Sequence, residues 1–329
     1  MFEKEFRAPI PLQQIEALLR RISVEHVKRP LAEEKAKILR SGYNGEKNLN
    51  YFLCLLPEKN YSIFHNIRLP IGSTFFQIDF LLISPKLGII LDSKNHSGTL
   101  TFEKNQLIHL SNTTEKINQN PLSQVYRHQY LLNRLFESHQ IPKIPIEYHV
   151  VVTNPSTKII ISDGYKEAEK RVWKAESLLI KMDEMEKAYN KELIDKRSIT
   201  KIKKVILQND TVERIDFLKV FGIHPSEIQT GVLCPTCYIP MEYTYRTWWK
   251  CPNCQCTSKN AHLHDIHDYF LLIKPSITNP ELRAFLHLPN SRSTTYLLSK
   301  LHLPYSGNGK GRTYYPNFTN HVPNLLNKY

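Results

Sequence analysis

At 329 residues, with 41% hydrophobic and 23% charged residues, the chain is long enough for two or three compact units and too apolar for a disordered protein. The formal net charge of +13 points to polyanionic partners, either nucleic acid or an anionic membrane surface. No run approaches the roughly 18 apolar residues of a membrane span. Residues 1–22 mix charged with apolar side chains, which excludes a signal-peptide core, so a cytoplasmic location is the default expectation.

In chain order, residues 11–39 read as helical, with Leu18, Leu19 and Ile22 at helical spacing. A break is predicted at Ser41-Gly42, then a second helix with Asn44 as N-cap, ending before Pro57. The period then becomes that of strands at 61–67, 75–84 and 88–94, followed by shorter strands at 99–102 and 107–110. A helix at 121–136 and a buried strand at 146–152 complete an α/β unit. Residues 165–205, rich in mixed Lys and Glu, read as a solvated helical face or connector.

Five of the six cysteines crowd one stretch, which favours metal over disulfides. Cys234-Pro235-Thr236-Cys237 and Cys251-Pro252-Asn253-Cys254 stand 13 residues apart. Each two-residue spacer lets both thiolates of a pair reach one ion, and two pairs complete the tetrahedral shell of a structural zinc. Tyr243, Tyr245, Trp248 and Trp249 suit the strands of a hairpin ribbon between them. Cys256 competes with Cys254 as ligand, and the matched spacing favours Cys254. His262, His264 and His267 are expected at the surface.

Beyond the ribbon, Asn279 is the expected N-cap of a helix over 279–286, with Pro280 in its first turn, and a second helix follows over 291–301. The glycine-rich run from Gly307 to Tyr315 resembles the wing of winged-helix DNA-binding domains. The tail is therefore a small helical domain with two readings, winged-helix or plain helical packing. Residues 231–329 hold ten Lys or Arg against four Asp or Glu, and Arg292, Lys300, Lys310 and Arg312 are the candidate phosphate contacts.

The chemistry is expected in the N-terminal half. Asp92 and Lys94, at the end of an apolar strand, project from the same side because residues i and i+2 do. Asp79, on the preceding strand, joins them if the two strands pair. Two carboxylates suit a magnesium ion, which polarises a phosphoryl group, while a lysine orients water or meets developing negative charge.

The motifs Gly45-Glu46, Gln77-Ile78-Asp79, Asp92-Ser93-Lys94-Asn95-His96-Ser97-Gly98 and Asn120-Pro121-Leu122-Ser123-Gln124 resemble the nuclease-related domain (NERD) of the PD-(D/E)XK nuclease superfamily over about residues 40–155. That resemblance implies a mixed sheet flanked by helices, with Asp79 and Asp92 as ligands of Mg2+ or Mn2+ and Lys94 as catalytic lysine. It further implies that Glu46 assists the metal from its helix and that Gln124 lies near the site. The family usually carries Glu where this chain has Asp92. His65 and His96 lie near these motifs without a role in that mechanism.

The expected organisation is thus a helical segment (1–40), a nuclease-related domain (41–155), a charged connector (156–230), a zinc ribbon (231–260) and the tail (261–329). The expected function is a metal-dependent nuclease in DNA processing or repair, with nucleic acid, DNA in the first instance, as partner. The alternatives are a noncatalytic DNA-binding adaptor that keeps the fold, and a protein-binding scaffold.

Overall fold

Hydrophobic spacing at Leu12, Ile15 and Leu18 gives the first helix, α1 (Ile10–Arg21), its buried side. A short turn separates it from α2 (Arg29–Leu53), so the single helix expected over 11–39 is two. α2 runs unbroken through Ser41, Gly42 and Asn44, where a break and an N-cap are predicted. Gly45 is the reason glycine sits mid-helix. A Cβ there would lie 2.6 Å from Asn95 Cβ and 2.9 Å from Thr153 Oγ1.

The computed structural model describes residues 1–58, 60–111, 113–244 and 248–316, and of Lys310 its backbone alone. It divides into one unit formed by residues 1–9 and 38–213, and a second formed by residues 10–37 and those from 214 onward.

In the first unit, β1 (Ser62–Ile71), β2 (Thr74–Ile83) and β3 (Gly88–Lys94) form an antiparallel meander. β4 (Thr99–Phe102), β5 (Gln106–Ser111) and β6 (Thr114–Gln119) form a second one. α3 (Pro121–Ser138) starts on Asn120, whose side chain accepts from Leu122 N–H. It leads to β7 (Ile146–Val152), which lies parallel to β3. The segment expected as a helical connector begins with two strands. β8 (Lys158–Ile161) pairs with β4, and β9 (Val172–Lys174), after α4 (Lys166–Arg171), pairs with β7. Helices α5 (Leu178–Ala188) and α6 (Lys196–Asn209) follow.

The sheet orders are β1-β2-β3-β7-β9 and β6-β5-β4-β8. The five-stranded sheet is mixed and apolar on both sides, which is why its strands read as nearly continuous hydrophobic runs. One side packs on Leu122, Val125, Leu132 and Phe136 of α3, the other on Leu49 and Leu53 of α2 and Leu178 and Met182 of α5. The wholly exposed β6 was not predicted, because Ile117 is its only large apolar residue.

The alternation of sides changes phase in the middle of the sheet. Ile67 and Ile78 belong to the α3-side core, whereas Ile63 and Phe80 belong to the other. The switch falls at Asn66, whose φ of +47° leaves the strand, and at Asp79 opposite it. The β2–β3 pairing stops at Phe80 and Leu91, one residue short of Asp79 and Asp92. Both neighbouring ladders thus open at Asp79.

In the second unit, α7 (Phe217–Phe221) precedes a ribbon of β10 (Glu242–Thr244), β11 (Trp248–Lys250) and β12 (Thr257–Ser258). Tyr245, expected on the ribbon, lies outside the described residues. Then come α8 (Ala261–Leu272), β13 (Ile277–Thr278), α9 (Asn279–Leu286), α10 (Ser291–Lys300), β14 (Tyr305–Ser306) and β15 (Thr313–Tyr314), with sheet order β13-β15-β14. Helix, strand, two helices and a returning hairpin is winged-helix connectivity. The N-cap of α9 is Thr278, not Asn279, because Thr278 and Glu281 complete a reciprocal capping box.

Ribbon and tail share one core, in which Trp249 and Met241 join Tyr269, Leu282, Phe285 and Leu297. Within this unit Arg21 of α1, fully buried, donates to Asp265, to Asp268 at 2.9 Å and to Gln229 O at 2.8 Å. Breaking such a pair would strand a buried charge, costing about 3–5 kcal/mol.

Candidate functional site

Four of the five residues expected at the N-terminal site come together. Asp92 and Lys94 lie at the end of β3 and form an ion pair, Lys94 Nζ to Asp92 Oδ2 at 2.7 Å. Asp79 lies where the β2–β3 ladder opens, and its Oδ2 accepts from Ser93 N–H at 2.9 Å and from Ser93 Oγ at 3.1 Å. The carboxylate replaces the ladder bond that Ser93 would otherwise lack.

Glu46 arrives from α2, and its approach depends on the missing Cβ of Gly45. Asn95 Nδ2 donates to Ser41 O at 2.8 Å and Ser41 Oγ donates to Asn95 O at 3.2 Å, which ties the helix to the turn after β3. That turn also needs Gly98, with φ +88°, since a Cβ there would lie 2.2 Å from Leu110 O. Its end is closed by Thr157 Oγ1, which donates to His96 O.

Burial, then the negative charge of Asp92, pushes Glu46 up to about 7. Asp79 is raised by burial and by Asp92 and Glu46, against the pull of Lys94. Burial disfavours the charged Lys94, but Asp92 and Asp79 outweigh it and raise the ammonium. One lysine therefore faces three acids. Each acid also keeps one oxygen without a hydrogen-bond partner among the described residues, namely Glu46 Oε1, Asp79 Oδ1 and Asp92 Oδ1. Surplus negative charge and uncommitted hard oxygens are what a magnesium-type ion requires.

Gln124 does not join this network. It is half-buried in the first turn of α3 and makes no side-chain hydrogen bond to the four residues among those described. One turn later on the same side is His128, buried and within electrostatic reach of Asp92 and Lys94. Sequence reasoning missed His128, Ser93 and the contact of His65 Nε2 with Glu46 Oε2 at 2.7 Å. The i, i+4 spacing of Gln124 and His128 was the available signal for the first.

The His96 ring lies tilted against that of His109 with centroids 4.7 Å apart, and burial lowers His96 to about 4.

In the second unit five sulfurs surround one point. Cys234 Sγ lies 3.6 Å from Cys237 and Cys254, and Cys237 Sγ lies 3.6 Å from Cys251. Cys237 and Cys254 are in side-chain contact. A zinc with Zn–S bonds of about 2.3 Å sets its ligand sulfurs about 3.8 Å apart, so these residues fit the ion. Cys256 is also present, 3.3 Å from Cys234, and Cys234, Cys251, Cys254 and Cys256 lie within 4.8 Å of one another.

The backbone separates the roles. Cys234 N–H donates to Ile239 O at 2.8 Å and Tyr238 N–H to Cys234 O at 2.9 Å. Cys251 N–H donates to Cys256 O at 2.9 Å and Gln255 N–H to Cys251 O at 3.1 Å. Tyr238 and Gln255 both have positive φ, +55° and +59°. The two turns are copies of one knuckle, in which Cys237 matches Cys254 and Cys256 matches Ile239.

Of the three histidines expected at the surface, His262 is packed instead, and His264 and His267 are half-buried. His262 is buried, its ring 6.3 Å from Trp249, and His267 Nε2 lies 2.9 Å from Gln13 Oε1. α8 is covered on several sides, so residues outside its apolar stripe are enclosed too. On α10, Arg292, Tyr296 and Lys300 form an exposed i, i+4, i+8 row, with Lys300 Nζ 5.7 Å from the Tyr296 ring. Arg312, on the hairpin of β14 and β15, lies 4.2 Å over Tyr305. The side chain of Lys310 lies outside the described residues.

Residues 41–153 match the family model of the nuclease-related domain, and the chain therefore carries such a domain, followed by a four-cysteine cluster compatible with a zinc ribbon. No curated protein and no solved structure matches the chain. No helix among the described residues is long and apolar enough to cross a membrane.

Proposed function

We propose that this protein is a divalent-metal-dependent phosphodiesterase that cuts nucleic acid, DNA in the first instance, at the site built from Glu46, Asp79, Asp92 and Lys94. The observation that carries this reading is the excess of buried carboxylate over cation, with one oxygen of each acid uncommitted. Asp79 and Asp92 would hold Mg2+ or Mn2+, with Glu46 assisting. When bound, the ion supplies a polarised phosphoryl group and a more acidic water.

The chain's own residues account for the rest. Ser93 fixes one oxygen of Asp79. Lys94, kept charged by two carboxylates, orients the attacking water or meets the charge that grows on the phosphate. Gln124 stays in the reading as a residue near the bound strand. A zinc held by Cys234, Cys237, Cys251 and Cys254 would fold the ribbon, and Arg292, Lys300, Lys310 and Arg312 would neutralise phosphates and retain the polymer.

The second reading, a noncatalytic nucleic-acid-binding adaptor, is favoured by one observation. Asp92 is a methylene shorter than the Glu usual in the family, and one of its oxygens is already engaged by Lys94 at 2.7 Å. Cleavage of labelled single-stranded and duplex DNA and RNA, with and without Mg2+ or Mn2+, separates the two. Metal-dependent cleavage lost in Asp79→Asn supports the enzyme, whereas binding without cleavage supports the adaptor.

A further inference from the structure

The pairing of His65 with Glu46 has no part in the mechanism above, yet it is well enclosed within the site. His65 lies on β1, is 1% exposed, and brings Nε2 to 2.7 Å from Glu46 Oε2. Its ring packs at a tilt against two aromatic rings, with centroids 4.3 Å from Phe6 and 5.0 Å from Phe80. Phe6 is itself stacked on Tyr43, one turn before Glu46 on α2, at 5.3 Å.

We infer that His65 is a positioning residue, whose Nε2–H holds the Glu46 carboxylate with Oε2 engaged and Oε1 free for the metal. This deepens the proposed function and rests on it. The geometry explains three otherwise separate features. Glu46 has three side-chain torsions and projects from the interior of α2, so without a partner it would sample several rotamers. The rings of Phe6 and Phe80 pack against the imidazole and restrict its rotation. The phase change at Asn66 is what lets His65 face α2, whereas Ile67 two residues on faces α3. A hydrogen-bond partner that orients a metal-binding carboxylate typically contributes about 10–100-fold in metal affinity.

The test uses the full chain with its zinc and reads Mn2+ affinity by calorimetry or paramagnetic resonance, beside the metal dependence of cleavage. His65→Leu, which fills the slot without a donor, should weaken Mn2+ about tenfold. His65→Gln, whose Nε2 can stand in for the imidazole donor, should recover most of that loss. His65→Asn, with a shorter reach, should resemble His65→Leu and serves as the second donor-poor variant should the leucine disturb folding. In a Glu46→Gln background, His65→Leu should cost little more, because the two residues act as one unit. Wild-type affinity in both His65→Leu and His65→Asn, or additive losses with Glu46→Gln, overturns the inference. Absence of Mn2+ binding in the wild type overturns the site reading itself, and is distinguishable from failure of the inference alone, in which the wild type binds Mn2+ and the His65 variants bind it equally.

Discussion

The two units each gather anionic ligands at one point, but the clusters stand in opposite relation to the fold. In the first unit Glu46, Asp79 and Asp92 are set into a sheet whose two apolar sides pack without their help, and mutual repulsion and burial push Glu46 and Asp79 upward. The sheet holds the acids together at a cost in stability. In the second unit the ribbon strands are three, three and two residues long, and the sulfurs sit where a larger domain would have side-chain packing. There the ion would supply the stability. A reaction site is held by the fold, while a structural site holds the fold.

Asp79→Asn or Lys94→Ala should lower cleavage by about a thousandfold. Metal-free Asp79→Asn should unfold no earlier than the wild type, since a repelled carboxylate is removed and an amide oxygen can still accept from Ser93. Thermal unfolding beside the cleavage assay checks both halves, and a large loss of stability in Asp79→Asn would place that residue among the structural ones.

In the second unit the sign reverses. Stripping zinc with a chelator, or Cys251→Ser, should release one equivalent of metal and change the fluorescence of Trp249, which is buried beside the cluster in the same core. The binding free energy of such an ion is about 10–16 kcal/mol and is largely folding free energy. Cys256→Ser should retain one zinc, because Cys256 takes the place of Ile239 in the repeated knuckle. Loss of zinc in Cys256→Ser with retention in Cys237→Ser would reassign the fourth ligand.

Much of this organisation was legible in the sequence, for physical reasons that also explain what was not. β3 and β7 were found to the residue, since strands buried on both sides leave long apolar runs. β6 left no such run. The motif acids were legible because Asp92 and Lys94 need only the two-residue period of one strand. The phase change at Asn66 and Asp79 was not, because nothing in an apolar run marks where it switches sides, and so the direction of His65 was hidden. Ser41-Gly42 read as a break and Asn44 as an N-cap by local propensity, whereas the helix runs on and its Gly45 answers a contact with Asn95 that is 50 residues away in sequence. Cys256 was set aside on spacing alone, a rule that cannot see a sulfur 3.3 Å from Cys234.

A smaller effect follows from the strain at Glu46. Its folded-state value, about 7, lies above the ordinary 4.5, so its contribution to stability is fully present below about pH 4.5 and is lost as pH rises through 7. Metal-free protein should therefore lose on the order of 2 kcal/mol between those limits, a fall that Glu46→Gln removes. Excess Mg2+ should offset it above pH 7, where the ionised carboxylate binds the ion. A denaturation series across pH, with and without Mg2+, gives the answer. An identical fall in Glu46→Gln would assign the strain elsewhere.

Arg292 and Lys300 lie at the two ends of an exposed row on α10, and Arg312 caps Tyr305 on the hairpin. If these groups contact phosphates, each substitution by alanine should weaken binding a few-fold, evenly across sequences, and reduce the slope of log affinity against log salt by about 1. The dependence arises because each neutralised phosphate releases condensed counterions, which a single base contact would not do. Arg292→Ala and Lys300→Ala should leave the zinc content and the Mn2+ affinity of the acidic site unchanged, since neither residue touches a sulfur or a carboxylate of either cluster. Tyr296, midway along the same row, adds a control. Tyr296→Ala should lower affinity without changing the salt slope, because it removes an aromatic surface and no charge. Unchanged salt slopes in Arg292→Ala, Lys300→Ala and Arg312→Ala would remove this unit from the nucleic-acid interface and leave the ribbon and its tail to a different partner.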